Sequence, residues 1–320
     1  MSANTYLQVT ELDFGQIRTN LKTYLSSQDQ FKDYDFEGSA MAVLLDVLSY
    51  NTHYNAYYLN MVANEMFLDT AQQRDSVVSR AKELGYTPVS SIGATAEVQV
   101  EFAGLANTVS QFTIPRNSKF TSTVDDVTYT FVTPAANKVL RSTTGKYIKT
   151  ISITEGEPLS HSWTASASNP VRYIIPNAGV DTTSVTVSVQ ASATDTTVTE
   201  FTRASNITQV FSTTPIYFLE ESADQKYEVV FGSGSLGLPV KPGNIVTVKY
   251  LVNNGEATNG ASRFSVDSIN IGETYTSSSI VSVVSSASGG RPQETVESIK
   301  FSAPRNYQTQ NRAVVAEDYQ

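Results

Sequence analysis

Apolar positions recur at helical spacing over the first quarter of the chain and then switch to strict alternation. Phe14, Ile17, Leu21, Tyr24 and Leu25 follow Asp13, whose carboxylate can accept from the free amides of a first helical turn, and the polar run SSQDQ ends that helix. A second helix is predicted from about Gly38, and a third from Thr70 to Leu84. The third is punctuated by Thr70 and Gln73 at capping-box spacing, by Gly85 as C-terminal cap, and by Pro88 beyond it.

The second helix is apolar on two sides. Met41, Leu44, Leu45, Leu48, Asn55, Leu59, Val62 and Met66 trace one stripe, the expected core face. Val43, Val47, Tyr50, Tyr54, Tyr57 and Met61 trace another, in steps of four, three, four, three and four. At 1.5 Å per residue such a helix is on the order of 40 Å long, more than two short neighbours can wrap. The second stripe is therefore covered by the downstream region or, as the length favours, by another chain. Tyrosines suit such an interface, because each buries a large ring and keeps a polar tip.

After Pro88 come short alternating segments, AEVQVEF, TYTFV, YIKTISIT, SVTVSVQ, YEVVF and NIVTVKY, separated by turns such as VDDV and NNGE. The expected architecture is α+β and multidomain, in three parts. A helical bundle spans 1–88, and one or two antiparallel β domains, sandwich-like or barrel-like, span 89–288. A helical connector, 289–320, leads into a further domain. Ser/Thr/Ala-rich residues near 190–200 are one candidate junction within the β region, and SSASGG at 285–290 is another. QETVESIKFSAP reads as a short helix stopped by Pro304, and AVVAEDYQ as the start of the next, as expected of the N-terminal part of a longer protein.

Composition narrows the chemistry. With 320 residues each domain can hold its own core, and with no cysteine there is no disulfide, thiol nucleophile or thiolate metal site. A net charge of -9 argues against direct nucleic-acid binding, and the most apolar window carries too many polar residues to sit in lipid. His53 and His161 lie in no metal-ligand spacing, and no GxSxG elbow selects a serine, so no catalytic residue, metal or cofactor is expected. Asp125 with Asp126, and Glu220 with Glu221, read as solvated turn or strand residues rather than as an acid/base pair.

One stretch invites a different reading. In FGSGSLGLPVKPGN, Gly232, Gly234 and Gly237 have the GxGxxG spacing of a dinucleotide loop. That loop must open a helix whose amides meet a pyrophosphate, and Pro239, Pro242 and Gly243 forbid one here. The glycines are read instead as shaping a loop between two strands.

LLDVLSYNTHYNAYYLNMVANEMFLDTAQQRDSVVSRAKELGYTP resembles the N-terminal region of inner baseplate wedge proteins of T-even-type contractile-tailed phages. FGSGSLGLPVKPGNIVTVKY is similar to the strand-loop-strand signature of the baseplate J-like family, with Ser233 where the family commonly has aspartate, and GGRPQETVESIKFSAPRNYQTQNRAVVAEDY resembles the segment that follows its β domain. The resemblance implies a structural virion protein of the tail baseplate, assembled in the bacterial cytoplasm and without catalysis. It implies a second copy and other wedge proteins as partners in a helical bundle, contacts with hub and sheath-initiating proteins, and an inner ring that widens on sheath contraction. Members are about twice this length. The competing reading is a tail-fibre-like, receptor-binding β protein with a helical attachment segment.

Overall fold

The computed structural model describes residues 13–31, 34–102, 109–167, 171–204, 210–222, 225–266, 269 and 279–309. They fall into two compact units, 1–86 together with 296–320, and 87–295. AVVAEDYQ lies outside the described residues.

The first unit is helical. It contains α1 (Phe14–Ser26), α2 (Ala40–Glu65), α3 (Arg74–Glu83) and α4 (Val296–Thr309). Asp13 caps α1, its Oδ1 accepting from the Gln16 amide at 2.6 Å. Arg18 reaches Asp46 at 2.6 Å, and Lys22 reaches Glu37 at 2.6 Å, which lays α1 along the first half of α2. These pairs are partly exposed, so they fix orientation more than they add stability.

The third helix begins later than its sequence suggests, because Thr70 turns its hydroxyl back to the Asn64 carbonyl at 2.6 Å. The free amides before α3 are met instead by Glu65, which accepts from Gln72 at 2.9 Å and Gln73 at 3.3 Å. Burial pushes this carboxyl's pKa up, but those amides and the Ser76 hydroxyl outweigh it and hold it below the ordinary range. At the other end Gly85, at φ 75°, closes the helix: its amide donates to Lys82 and that of Tyr86 to Ala81, the Schellman pattern.

Val77, Val78 and Ala81 of α3 share a buried core with Ile299 and Ala303 of α4. Segments more than two hundred residues apart in sequence thus complete one unit. Pro304, expected to stop α4, lies inside it. A proline removes one intrahelical bond, and packing of Ile299 and Ala303 against α3 carries the helix up to that point.

The second unit is β. A five-stranded antiparallel sheet has the order β14, β1, β6, β4, β3, formed by β1 (Thr95–Phe102), β3 (Lys119–Val124), β4 (Val127–Val132), β6 (Tyr147–Glu155) and β14 (Ser279–Ser288). A small pair, β2 (Gln111–Ile114) with β5 (Asn137–Leu140), adds to its core, where Val98, Val100, Phe120, Phe131 and Ile153 are buried. The VDDV turn joins β3 to β4 with Asp125 and Asp126 both at positive φ, 47° and 62°, as a type I′ hairpin requires.

A seven-stranded sheet follows. Its members are β7 (Glu157–Thr164), β8 (Arg172–Ile174), β9 (Val180–Gln190), β10 (Val198–Arg203), β11 (Ile216–Glu221), β12 (Tyr227–Phe231) and β13 (Ile245–Val252), in the order β7, β13, β9, β10, β11, β12, β8. All described pairings are antiparallel except the short β10–β11 contact. Val246, Val248 and Tyr250 alternate into its core, with Thr247 and Lys249 outward. Residues 190–200 form the connection between β9 and β10 of this one sheet.

The chain passes from the first sheet to the second at Glu155 and Gly156 and leaves the second after Val252. Glu155, 1% exposed, accepts from the Asn254 amide at 3.0 Å and from Asn254 Nδ2 at 2.8 Å, joining the outgoing and returning strands. Ser90 with Thr182, and Asn253 with the Ser91 carbonyl, add further bonds here. Desolvation raises the Glu155 pKa, and the two Asn254 donors offset it only in part.

A carboxyl raised in the folded state favours folding when protonated, so its contribution is complete at low pH and is lost as pH rises through the raised value. Relative to E155Q, the native chain should gain stability as pH falls from 7 into the window just above the ordinary glutamate range. Denaturant melts of both proteins across that window measure this, and parallel pH profiles would contradict it.

Candidate assembly surface

At 3.6 residues per turn the buried residues of α2, Leu45, Ser49, Ala56 and Asn60, fall on one line. Three of the four are small or polar. Of the stripe expected to be core, Leu45 is buried and Met41 half-buried, but Leu44, Leu48, Leu59, Val62 and Met66 are exposed. The reason is geometric. α1 has 13 residues against 26, and the Arg18–Asp46 pair seats it on the side of Asp46 and Ser49. The aliphatic stripe lies roughly 100° round the helix from the buried line.

The other stripe lies roughly 130° away on the opposite side. Val43, Val47, Tyr50, Tyr54, Tyr57 and Met61 are all exposed, from 66% at Val43 to 38% at Met61. Tyr58, 53% exposed, belongs to neither stripe and lies between them, beside the exposed Asn51 and Asn55. Its sequence signal is its place four residues after Tyr54. Tyr50 Oη donates to Tyr54 Oη at 2.8 Å, with ring centroids 4.5 Å apart, and the Tyr54 and Tyr58 rings are 6.2 Å apart. Its bond to Tyr54 holds the Tyr50 phenol above the ordinary tyrosine range, with desolvation adding to the effect. Only Asp46 and Glu65 are acidic on α2, neither is in a stripe, and the helix has no Lys or Arg.

Residues 13–86 match the family described as baseplate wedge protein gp6-like, helical domain. Beyond this domain, the chain is 28% identical over 333 aligned positions to baseplate wedge protein gp6 of Enterobacteria phage T4, covering 96% of the chain and 48% of that relative. The chain therefore spans about half the length of the relative it matches. Among solved structures, a chain of the anti-feeding prophage baseplate aligns at TM-score 0.32 and 12% identity, over 98% of this chain and 64% of that one. The group B streptococcus pilus 2b backbone protein aligns at TM-score 0.16 and 12% identity, over 62% and 55%. At such scores neither likeness bears on fold or function.

The gp6-like helical domain contains His53, half-buried and 6.2 Å edge-on to Tyr54, with no hydrogen-bond partner at Nδ1. His161, in the β unit, packs on Trp163 at 4.4 Å. Glu220 and Glu228 face Arg172 at 3.4 and 2.5 Å, an ion-paired cluster across three strands, while Glu221 is buried. Among the described residues no three His, Asp or Glu side chains are grouped to hold a metal, and no helix is long and apolar enough to cross a membrane. An open depression of about 630 Å³ lies beside the VDDV turn, lined by Thr121, Thr123, Asp125, Asp126, Arg263 and Ser265 among others.

The GxGxxG stretch links β12 to β13, and no helix follows. Gly234 donates to the Gly237 carbonyl at 3.2 Å, and Gly237 donates to the Phe211 carbonyl at 3.1 Å. A Cβ on Gly232 would lie 2.1 Å from the Leu236 carbonyl oxygen, so the loop closes on itself there. Gly237 combines a φ of 81° with Ile216 at 2.9 Å from its Cβ position, whereas Gly234, at φ 91°, has only the Pro239 ring at 3.5 Å. Pro239 and Pro242 stand in the same connection, and Gly243, at φ 90°, donates to Ala165 at 2.9 Å as β13 begins. Gly232→Ala should therefore destabilise the β unit by several kcal/mol, and Gly234→Ala by about 1–2 kcal/mol. Urea unfolding of the two variants tests the order, and a loss at Gly232 no larger than that at Gly234 would mean that the loop relaxes around the added Cβ.

Proposed function

We propose that this chain is a structural component of a contractile-tail baseplate, a wedge scaffold that assembles through α2 with a second copy of itself and another wedge protein. The observation that carries the reading is the uncovered apolar surface of α2. Exposed patches of this extent are characteristic of protein–protein contact sites, and this one is rimmed by the polar line of Asp46, His53 and Asn64. Two stripes well separated round one helix suit two neighbours better than one. The aliphatic stripe offers Leu and Val knobs for close helix packing, and the tyrosine stripe offers rings with hydroxyls free to bond across a contact.

The match over nearly the whole chain to a phage wedge protein supports a place in the virion tail, with assembly in the host cytoplasm before incorporation. The inner ring round the tail hub, and its rearrangement on sheath contraction, belong to the same proposal and follow from the family resemblance.

Because Val47 and Tyr54 are already exposed, Val47→Asp and Tyr54→Asp should leave the isolated chain folded. They should abolish association, since each leaves an unpaired carboxylate in a desolvated contact at a cost of several kcal/mol. Co-expression with the neighbouring wedge proteins, followed by sizing, reads the outcome. Mutant chains that enter the complex at native stoichiometry would remove the tyrosine stripe from the interface.

A further inference from the structure

The chain has two Asn–Gly pairs, Asn254–Gly255 and Asn259–Gly260, and both lie in the segment that returns from β13 toward the five-stranded sheet. Glycine has no side chain to hinder its own backbone nitrogen, which can therefore approach the side-chain carbonyl of the asparagine before it. The deprotonated nitrogen attacks Cγ, the new C–N bond closes a succinimide ring, and the side-chain nitrogen leaves as ammonia. Water then opens the ring to aspartate or isoaspartate.

Burial does not prevent this, since Asn254, Asn259 and Gly260 are exposed. Hydrogen bonds do. Asn259 is clamped to Gly290 through both ends of its amide: Nδ2 donates to the Gly290 carbonyl and Oδ1 accepts from the Gly290 amide, each at 2.9 Å. The Gly260 amide, whose nitrogen would attack, donates to the Ala287 carbonyl near the end of β14 at 2.7 Å. In the other pair the Gly255 amide donates to Asn253 Oδ1 at 3.0 Å, and Asn254 Nδ2 donates to Glu155 at 2.8 Å. Attack needs the glycine amide deprotonated, as hydrogen exchange does, and both reactions therefore wait on local opening.

We propose that Asn259–Gly260 is a self-modification site gated by this joint, inert while the return segment is clamped to the end of β14 and converted once the clamp opens. Conversion to aspartate replaces the nitrogen that donates to the Gly290 carbonyl with an oxygen that only accepts. Two acceptors then face each other, so the joint does not close again, and a transient opening becomes permanent. This inference stands on the β unit alone and does not depend on what covers α2.

Peptide mass spectrometry on the full chain, incubated at mildly alkaline pH in buffer and in denaturing urea, reads the conversion. The folded chain should lose the Asn259 amide more slowly than the unfolded one by about tenfold or more, and in graded sub-denaturing urea the loss should rise in step with exchange of the Gly260 amide. Gly290→Ala, whose Cβ would lie 2.4 Å from the Gly255 carbonyl oxygen and 3.0 Å from Asn259 Oδ1, should speed the loss. If that variant does not fold, the urea series decides by itself. N259D, which carries the product side chain from the start, should show faster Gly260 exchange than the native chain. Equal loss in folded and unfolded chains, loss that does not follow Gly260 exchange, or native loss in a folded Gly290→Ala would overturn the gate. Native Gly260 exchange in N259D would show that the joint closes without the amide and would overturn its permanence.

Discussion

A helix of 26 residues laid against one of 13 cannot bury its own apolar surface, and most of what the helical unit does follows from that mismatch. The pairing of α1 with α2 is directed by Arg18 and Lys22 toward Asp46 and Glu37, and so falls on a line of small and polar side chains. That choice leaves both apolar stripes outward. Had α1 instead packed on Leu44, Leu48 and Leu59, the unit would have gained burial and lost the surface proposed for assembly. At about 25 cal/mol per Å² of apolar surface, covering several such side chains contributes more than exposed ion pairs do. The helical unit therefore leaves its larger stabilising term unused, which agrees with the assembly proposed above.

A second constraint shapes the β unit. The seven-stranded sheet is inserted into the five-stranded one, which is itself inserted between α3 and α4. Each insertion needs its two ends brought together. At the inner one Glu155 and Asn254 supply this, with a buried carboxylate that has hydrogen-bond donors but no cation among its named partners. At the outer one the cores of α3 and α4 supply it by apolar packing. Polar closure is demanding in geometry, since a buried acceptor left unmet costs more than the bond contributes. Apolar closure is less demanding, because apolar contact is not directional.

Much of this was legible in the sequence where local chemistry decides. Asp13 and Gly85 cap helices as their residue types require, the six alternating segments all became strands, and two prolines excluded a cofactor helix after Gly237. What could not be read was set by distant partners. The start of α3 depends on Glu65 rather than on Thr70, α4 runs on through Pro304 where its sequence suggests a stop, and the face of α2 that is buried depends on where α1 sits. Periodicity counts apolar positions around a helix, and α2 has two sets with no local reason to prefer either. The insertion points at Glu155 and after Val252 carry no change in composition, whereas the Ser/Thr-rich stretch at 190–200, which does, is only a turn.

The charge of the chain also bears on the exposed surface of α2. With a net charge of -9, copies of the chain repel one another at long range, while the stripes of α2 hold no charge at all. Repulsion between dispersed surface charges is screened over roughly 8 Å at physiological ionic strength, so it opposes approach over a longer distance than the direct side-chain contact at which apolar surface is buried. Apolar contact acts only at that shorter range. A partner must therefore be complementary along the length of α2, presenting enough matching surface at once to offset the approach cost, and isolated hydrophobic encounters do not meet that condition. In the proposed assembly, selectivity among partners would then rest on the length of the uncovered surface together with the sign of the charge around it.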